Sequence, residues 1–110
     1  MNYIMGLWVD DVRAPEEFYY KGDYVIWICV KSVDIAKHCI KVHEKGEEPF
    51  GLISLDHDAG DFGPPDYIKL LDWLEETGRS YPIRIQSQNV VGRMNMERIC
   101  KRNDWIIVKD

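Results

Sequence analysis

Five short apolar runs along the chain have the length and composition of buried β-strands. They cover residues 4–9, 24–29, 50–55, 83–86 and 105–108. Each run is mostly apolar without strict alternation, which is typical of parallel strands that are covered on both faces. The pattern therefore predicts a five-stranded parallel sheet.

Three helices are predicted from their end signals and their apolar stripes. The first follows Ser32, a good N-cap residue, and the second begins at Pro64–Pro65 and ends near Gly78. The third follows Asn89, which could cap it. The inward-facing residues are Ile35, Ala36, Cys39, Ile40 and His43 in the first helix, Ile68, Leu70, Leu71 and Leu74 in the second, and Met96, Ile99 and Cys100 in the third.

The connection between the first two strands, residues 10–23, has one weak helix candidate, the short stretch after Pro15. Strands and helices otherwise alternate, and such alternation predicts an α/β fold with helices on both faces of the sheet. Because the sequence ends directly after Lys109, we expect no fifth helix. The length of 110 residues fits one domain, residues 1–110.

Composition narrows the class of protein. Hydrophobic residues make up 45% and charged residues 30% of the chain, which is ordinary for a globular protein. No apolar run approaches the roughly 20 residues of a membrane helix, and the N-terminus does not resemble a secretion signal, so we expect a cytoplasmic protein. The net charge of −5 argues against broad nucleic-acid binding but leaves room for a focused phosphate site.

Polar residues follow the predicted strands where the chain leaves the sheet. Asp10 and Asp11 follow the first strand, Asp56-His57-Asp58 follow the third, and Gln86-Ser87 end the fourth. Ligands of open parallel sheets bind beyond the carboxyl ends of the strands. We therefore expect a functional site at the carboxyl ends of the strands.

The acidic residues point to a metal site with a proton-transfer group beside it. Carboxylates that lie close together repel one another unless a cation offsets their charge, and Mg²⁺ prefers such oxygen ligands. We expect Asp10, Asp11 and Asp56 to hold a divalent ion, Mg²⁺ or alternatively Mn²⁺. His57 could act as a general acid or base, with Asp58 orienting it and Asp56 taking part in catalysis.

Further residues could bind a phosphate group. Arg13 offers a planar fork of donors and Lys109 a point charge. Gln86, Ser87 and the free N–H groups after Asn89 could add hydrogen bonds. Gly92 would allow a ligand to approach the third helix closely, or would equally serve a tight packing contact. The tryptophans and tyrosines are interpreted mainly as packing residues.

Three segments together resemble the family of cyclic-phosphate processing receiver domains: Leu7-Trp8-Val9-Asp10-Asp11-Val12-Arg13, Ser54-Leu55-Asp56-His57-Asp58 and Ser87-x-Asn89-x-x-Gly92. The resemblance covers nearly the whole chain. It implies a flavodoxin-like receiver fold and a role in processing cyclic phosphates, in RNA-end repair or nucleotide signalling. The family usually has a second histidine before the serine of the third segment, where this chain has Gln86, and glutamine cannot carry a proton between groups.

Three functions remain open at this point. The first is a phosphoesterase that acts on a cyclic phosphate, either an RNA 2′,3′-cyclic end or a small cyclic nucleotide. The second keeps the site but only binds or sequesters a phosphorylated nucleotide, as Gln86 in place of histidine would allow. The third is a stand-alone receiver in which Asp56 accepts a phosphoryl group.

Overall fold

The computed structural model describes residues 2–11, 13–56, 67–86 and 90–109. Its strands are β1 (Tyr3–Val9), β2 (Tyr19–Tyr20), β3 (Asp23–Val30), β4 (Leu52–Asp56), β5 (Ile83–Gln86) and β6 (Ile107–Val108). Its helices are α1 (Val33–Lys45), α2 (Ile68–Glu76) and α3 (Val90–Arg102). Every predicted strand and each of the three predicted helices is therefore present.

One sheet joins the six strands in the order β2-β3-β1-β4-β5-β6. The short β2 pairs antiparallel with β3, and all other pairs are parallel. The parallel strands alone follow the flavodoxin-like order, in which the first strand lies between the second and the third. This confirms the α/β fold class. The strand order reverses between β1 and β4, which is where such sheets bind their ligands.

The connection between β1 and β3 differs from the prediction. The residues after Pro15 form no helix, and β2 adds a sixth strand to the expected five. Two indole groups bind carbonyls of this connection: Trp8 Nε1 donates to the Arg13 carbonyl at 3.0 Å, and Trp27 Nε1 donates to the Glu16 carbonyl at 3.1 Å. These carbonyls accept from side chains of β1 and β3 rather than from the N–H groups of a helical turn.

The two faces of the sheet are covered differently. On one face, Leu7, Ile53 and Ile83 share a buried cluster with residues of all three helices: Ala36, Ile40, Leu70, Leu71, Leu74, Met96, Ile99 and Cys100. On the other face, which carries Ser54 and Arg84, the described part of the chain places no helix, so the expected helices on both faces are found on one. Residues 13–18, here called the covering segment, contribute Phe18 to the packing of this second face.

Where the structure describes a residue that was predicted to mark a helix end, a helix begins or ends at or near that residue. Ser32 is the N-cap of α1, and its Oγ accepts a hydrogen bond from the Ile35 N–H at 3.1 Å. Gly78 follows α2 with a φ of 69°, which favours glycine. The predicted start at Pro64–Pro65 and the cap at Asn89 lie outside the described residues. No helix in the described ranges is long and apolar enough to cross a membrane.

Candidate metal and phosphate site

Asp10, Asp11 and Asp56 come together at the carboxyl ends of β1 and β4. One carboxylate oxygen from each residue lies within 4.8 Å of the other two. Asp10 is only 4% exposed and Asp56 only 1%. The structure thus forms the acidic group that the sequence indicated, at the point where the strand order reverses.

Local backbone structure explains how two adjacent aspartates join this group. Because Val9 and Leu55 are in register on β1 and β4, the residues that follow them, Asp10 and Asp56, are neighbours. The Asp10 N–H donates to the Val30 carbonyl at 3.1 Å, which extends the ladder between β1 and β3 by one residue. Asp10 Oδ1 accepts from the Arg13 N–H at 3.0 Å, a bond that turns the chain out of the sheet.

The chemistry of these oxygens fits a hard divalent cation. Carboxylates this close repel one another when they are ionised, and burial adds to the cost of their charge. Asp11 Oδ1 is buried and has no hydrogen-bond partner among the described residues. A ligand set of buried carboxylate oxygens, one of them unsatisfied, is what Mg²⁺ or Mn²⁺ would complete.

Tyr67, just before α2, is a site residue that the sequence analysis missed. It is 1% exposed, and its hydroxyl donates to the Lys31 carbonyl at 3.0 Å. Burial first, and then the negative charges of Asp11, Asp10 and Asp56, raise the pKa of Tyr67 well above its ordinary value of 10. The hydroxyl therefore lies in the field of the three carboxylates and stays protonated. In the sequence it has the pattern of a packing residue, so no signal marked it.

Basic groups line a shallow cavity of about 280 Å³ beside the carboxylates. Asp10, Asp11, Arg13 and Lys31 form its polar lining. Arg13 was predicted to bind phosphate, and its exposed side chain lies next to the acidic group. Lys31 was missed, although it follows β3 in the same way that Asp10 follows β1. A strand-end lysine was the available signal.

Gln86 and Arg84 extend the site along β5. Asp56 and Gln86 are in register on β4 and β5, so their side chains share one face of the sheet. Gln86 Oε1 accepts from Arg84 Nη1 at 3.4 Å. Arg84 is only 4% exposed and was not among the predicted site residues. The sequence did mark Arg84, as a charged residue between the two isoleucines of a buried strand.

The remaining predicted residues are less closely placed or not described. Gly92 is buried in the first turn of α3. Lys109 is exposed after β6 and is separated from β4 by β5, so the structure does not bring it into the carboxylate group. His57, Asp58, Ser87 and Asn89 lie outside the described residues, and their predicted roles stay predictions.

Comparison with known proteins agrees with the fold and with the motifs. Neither the curated proteins nor the solved structures gave a match. The model of one family, described as the cyclic-phosphate processing receiver domain, matches residues 5–102. This match runs from within β1 to the end of α3 and includes the three clustered aspartates. The chain therefore belongs to the family of cyclic-phosphate processing receiver domains.

Proposed function

We propose that this domain is a phosphoesterase that opens a cyclic phosphate, on an RNA 2′,3′-cyclic end or a small cyclic nucleotide. The observation that carries the proposal is the group Asp10, Asp11 and Asp56 where the strand order reverses, with Asp10 and Asp56 buried, in a member of a cyclic-phosphate processing family. Basic side chains border this group, as a phosphate substrate would require.

The three aspartates would hold Mg²⁺, or alternatively Mn²⁺. When bound, the ion would offset the charge that develops on the phosphoryl oxygens. The unsatisfied Asp11 Oδ1 supports this assignment, because a buried acceptor without a partner costs free energy that a cation would recover. Tyr67 would keep its proton beside these carboxylates, because burial and their negative charge raise its pKa.

The phosphate group of the substrate would lie between this site and the basic residues. Arg13 can bind two phosphoryl oxygens with its planar fork, and Lys31 can add a point charge from the end of β3. Gln86 can donate from its amide. Ser87, the N–H groups after Asn89 and the close approach at Gly92 are further candidates, and in the sequence they follow β5 and begin α3.

Opening a cyclic phosphodiester moves two protons. A water oxygen forms a bond to phosphorus while one ring P–O bond breaks; the water loses a proton and the departing oxygen gains one. His57 would transfer these protons as base and then as acid, with Asp58 orienting its ring. The product is a phosphate monoester, which carries one more ionisable oxygen than the substrate.

A second candidate is binding without turnover. Gln86 stands where the family usually has a histidine, and the Gln86 amide is bound by Arg84 at 3.4 Å. An amide can hold a phosphate by hydrogen bonding but cannot relay a proton. This favours sequestration of a phosphorylated nucleotide if one histidine is too few for catalysis.

Incubation with 2′,3′-cyclic nucleotides and Mg²⁺ or Mn²⁺ separates the two candidates. We expect a monophosphate product, measured by phosphorus NMR, that disappears in Asp56→Asn and in His57→Ala. The control Asp104→Asn changes an exposed carboxylate at the end of α3 and should keep full activity. Binding measured by calorimetry without any product would reject the phosphoesterase in favour of sequestration.

Gln86→His sharpens the comparison by restoring the residue that is usual in the family. An increase in rate would mean that Gln86 limits catalysis in this chain. An unchanged rate in an active enzyme would mean that a single histidine is enough for the reaction.

A further inference from the structure

We propose that Arg84 is a positioning residue, which holds the Gln86 side-chain amide so that its N–H groups donate to an anionic ligand at the strand-end site. The proposal deepens the proposed function and rests on it, since the anion would be the phosphate group of the substrate. Arg84 itself would not contact the ligand.

The guanidinium of Arg84 is held from several sides. Its Nη1 lies 3.4 Å from Ser54 Oγ, and its Nη2 lies 3.2 Å from Glu16 Oε1. Its Cζ lies 4.6 Å from the centre of the Phe18 ring, in cation–π contact. A planar group that is bound at both Nη atoms and stacked on a ring has one preferred orientation. Arg84 is therefore a rigid support within the sheet.

That support determines how the Gln86 amide is turned. Arginine has donors but no acceptor, so the contact with Arg84 Nη1 requires the Gln86 oxygen to face the guanidinium. The Gln86 nitrogen must then point away from Arg84. A flipped amide would place N–H groups against N–H groups, which is repulsive.

The nitrogen of this amide is a donor in need of an acceptor. Gln86 Nε2 is buried and has no hydrogen-bond partner among the described residues. A buried donor without a partner costs more free energy than a made hydrogen bond contributes, so such groups are rare without a reason. Because Gln86 is in register with Asp56, its side chain leaves the sheet on the same face as the Asp56 carboxylate. A phosphoryl oxygen at that place would satisfy it.

The positive charge behind the amide makes it a better donor. A hydrogen bond from a guanidinium to the amide oxygen draws electron density from the nitrogen, so that the N–H groups become more positive. Arg84 thus makes the Gln86 N–H groups stronger hydrogen-bond donors, although the Gln86 side chain itself carries no net charge. An uncharged donor of this kind also avoids a fixed ion pair with Asp56 in the absence of ligand.

The covering segment takes part through Glu16. The Glu16 side chain is 67% exposed, whereas that of Arg84 is 5% exposed. Glu16→Gln therefore weakens the hold on Arg84 at the surface, without opening a cavity in the sheet. It serves as a mild variant beside Arg84→Met, which removes every donor but keeps an unbranched side chain.

The test follows the side-chain amide signals of Gln86 by nitrogen–proton NMR during a titration with inorganic phosphate in the presence of Mg²⁺. Gln86→Met assigns these signals by their loss. In the wild type we expect them to shift with phosphate. We expect Arg84→Met and Gln86→Met each to weaken phosphate binding by roughly 5- to 10-fold, the range of one hydrogen bond. The double variant should be no weaker than either single variant, because both remove the same interaction.

Arg79→Met is the matched control. Like Arg84, Arg79 pairs with a carboxylate, that of Glu44, and lies over an aromatic ring, that of Trp73. Unlike Arg84, it precedes β5, at the amino-terminal end of the strand and away from the site. This variant should leave the phosphate affinity unchanged. Arg84→Lys should recover part of the lost affinity, since a lysine can still donate to Gln86 Oε1.

Each outcome decides a separate point. Unchanged phosphate affinity in Arg84→Met, or additive losses in the double variant, would overturn the positioning role. If Arg84→Met does not fold, as judged by circular dichroism, Glu16→Gln is measured in its place. A loss of phosphate affinity below the roughly 5- to 10-fold expected for Arg84→Met supports the proposal, and an unchanged affinity overturns it. If Mg²⁺ binds but phosphate leaves the Gln86 signals unmoved, Gln86 is not a ligand residue and the proposed function still stands. If neither binds, both proposals fail.

Discussion

The indole ring of Trp27 lies against Gly6 of the neighbouring strand, so closely that a Cβ atom at residue 6 would stand 2.6 Å from Trp27 Cζ3. The two residues are in register on β1 and β3. Trp27 also packs edge-on against Trp8, with 5.2 Å between the ring centres, and binds the Glu16 carbonyl. The missing side chain at Gly6 therefore makes room for the ring that anchors the covering segment.

Gly6→Ala should destabilise the fold. The added methyl group would also meet Val25 Cγ1 at 2.7 Å, so the ring or the strand must move. Overpacking of this kind costs about 1–3 kcal/mol. Denaturation followed by tryptophan fluorescence measures the change in the free energy of unfolding. In Gly46→Ala the nearest atom would be 3.5 Å away, and we expect a change within about 0.5 kcal/mol. Equal stability of the two variants would contradict this account.

Mg²⁺ should stabilise the folded protein through the three aspartates. Binding to the folded state alone adds about 1.4 kcal/mol at ten times the dissociation constant. Asp11→Asn removes one of the repelling charges, so we expect a higher melting temperature than the wild type without metal and a smaller rise with Mg²⁺. Differential scanning fluorimetry with and without EDTA measures both effects.

Asp104→Asn is the control for the metal experiment. Asp104 is exposed and has a φ of 56°, a conformation that asparagine tolerates at least as well. Its response to Mg²⁺ should equal that of the wild type. If Asp11→Asn responds to Mg²⁺ as strongly as this control, the aspartate group is not the metal site.

Tyr67→Phe should change how stability depends on alkaline pH. Because the pKa of Tyr67 is raised in the folded protein, the unfolded chain ionises first, and stability is lost as the pH rises above about 10. At neutral pH the variant loses the bond to the Lys31 carbonyl, which costs about 0.5–1.5 kcal/mol. Above pH 10 the difference in the free energy of unfolding between the wild type and Tyr67→Phe should become smaller.

Urea denaturation at pH 7 and at pH 10.5 measures this difference. Tyr3→Phe, which removes a hydroxyl from a side chain that is 62% exposed, should show no such narrowing. If the free energies of unfolding of Tyr67→Phe and the wild type differ by the same amount at both pH values, residue 67 does not carry a buried, protonated hydroxyl.

Acetyl phosphate should not phosphorylate Asp56 stably. The carboxylates of Asp10 and Asp11 lie within 4.8 Å, and His57 and Asp58 follow directly in the sequence. An extra negative charge and a proton-transferring ring next to an aspartyl phosphate would disfavour it. Intact mass spectrometry with Mg²⁺ should therefore show an unchanged mass. A stable gain of one phosphate that is absent in Asp56→Asn would favour the receiver function instead.

Much of the fold was predictable because its signals are local. Within the described residues, the apolar runs located every strand except β2, and Ser32 marked the start of α1. The weak helix predicted after Pro15 was wrong, since the indole groups of Trp8 and Trp27 that bind the carbonyls of this connection come from other parts of the chain. Lys31 could have been found by the strand-end rule that found Asp10 and Asp56.

By itself, the sequence determined that acidic residues follow two strands of an alternating α/β chain, because the signals for strands, caps and strand ends lie within a few residues of one another. Only the tertiary structure decided which side chains surround them. Tyr67 meets the Lys31 carbonyl across 36 residues, and Arg84 meets Glu16 across 68. Such contacts depend on the strand order and on the register between strands, which no local pattern encodes.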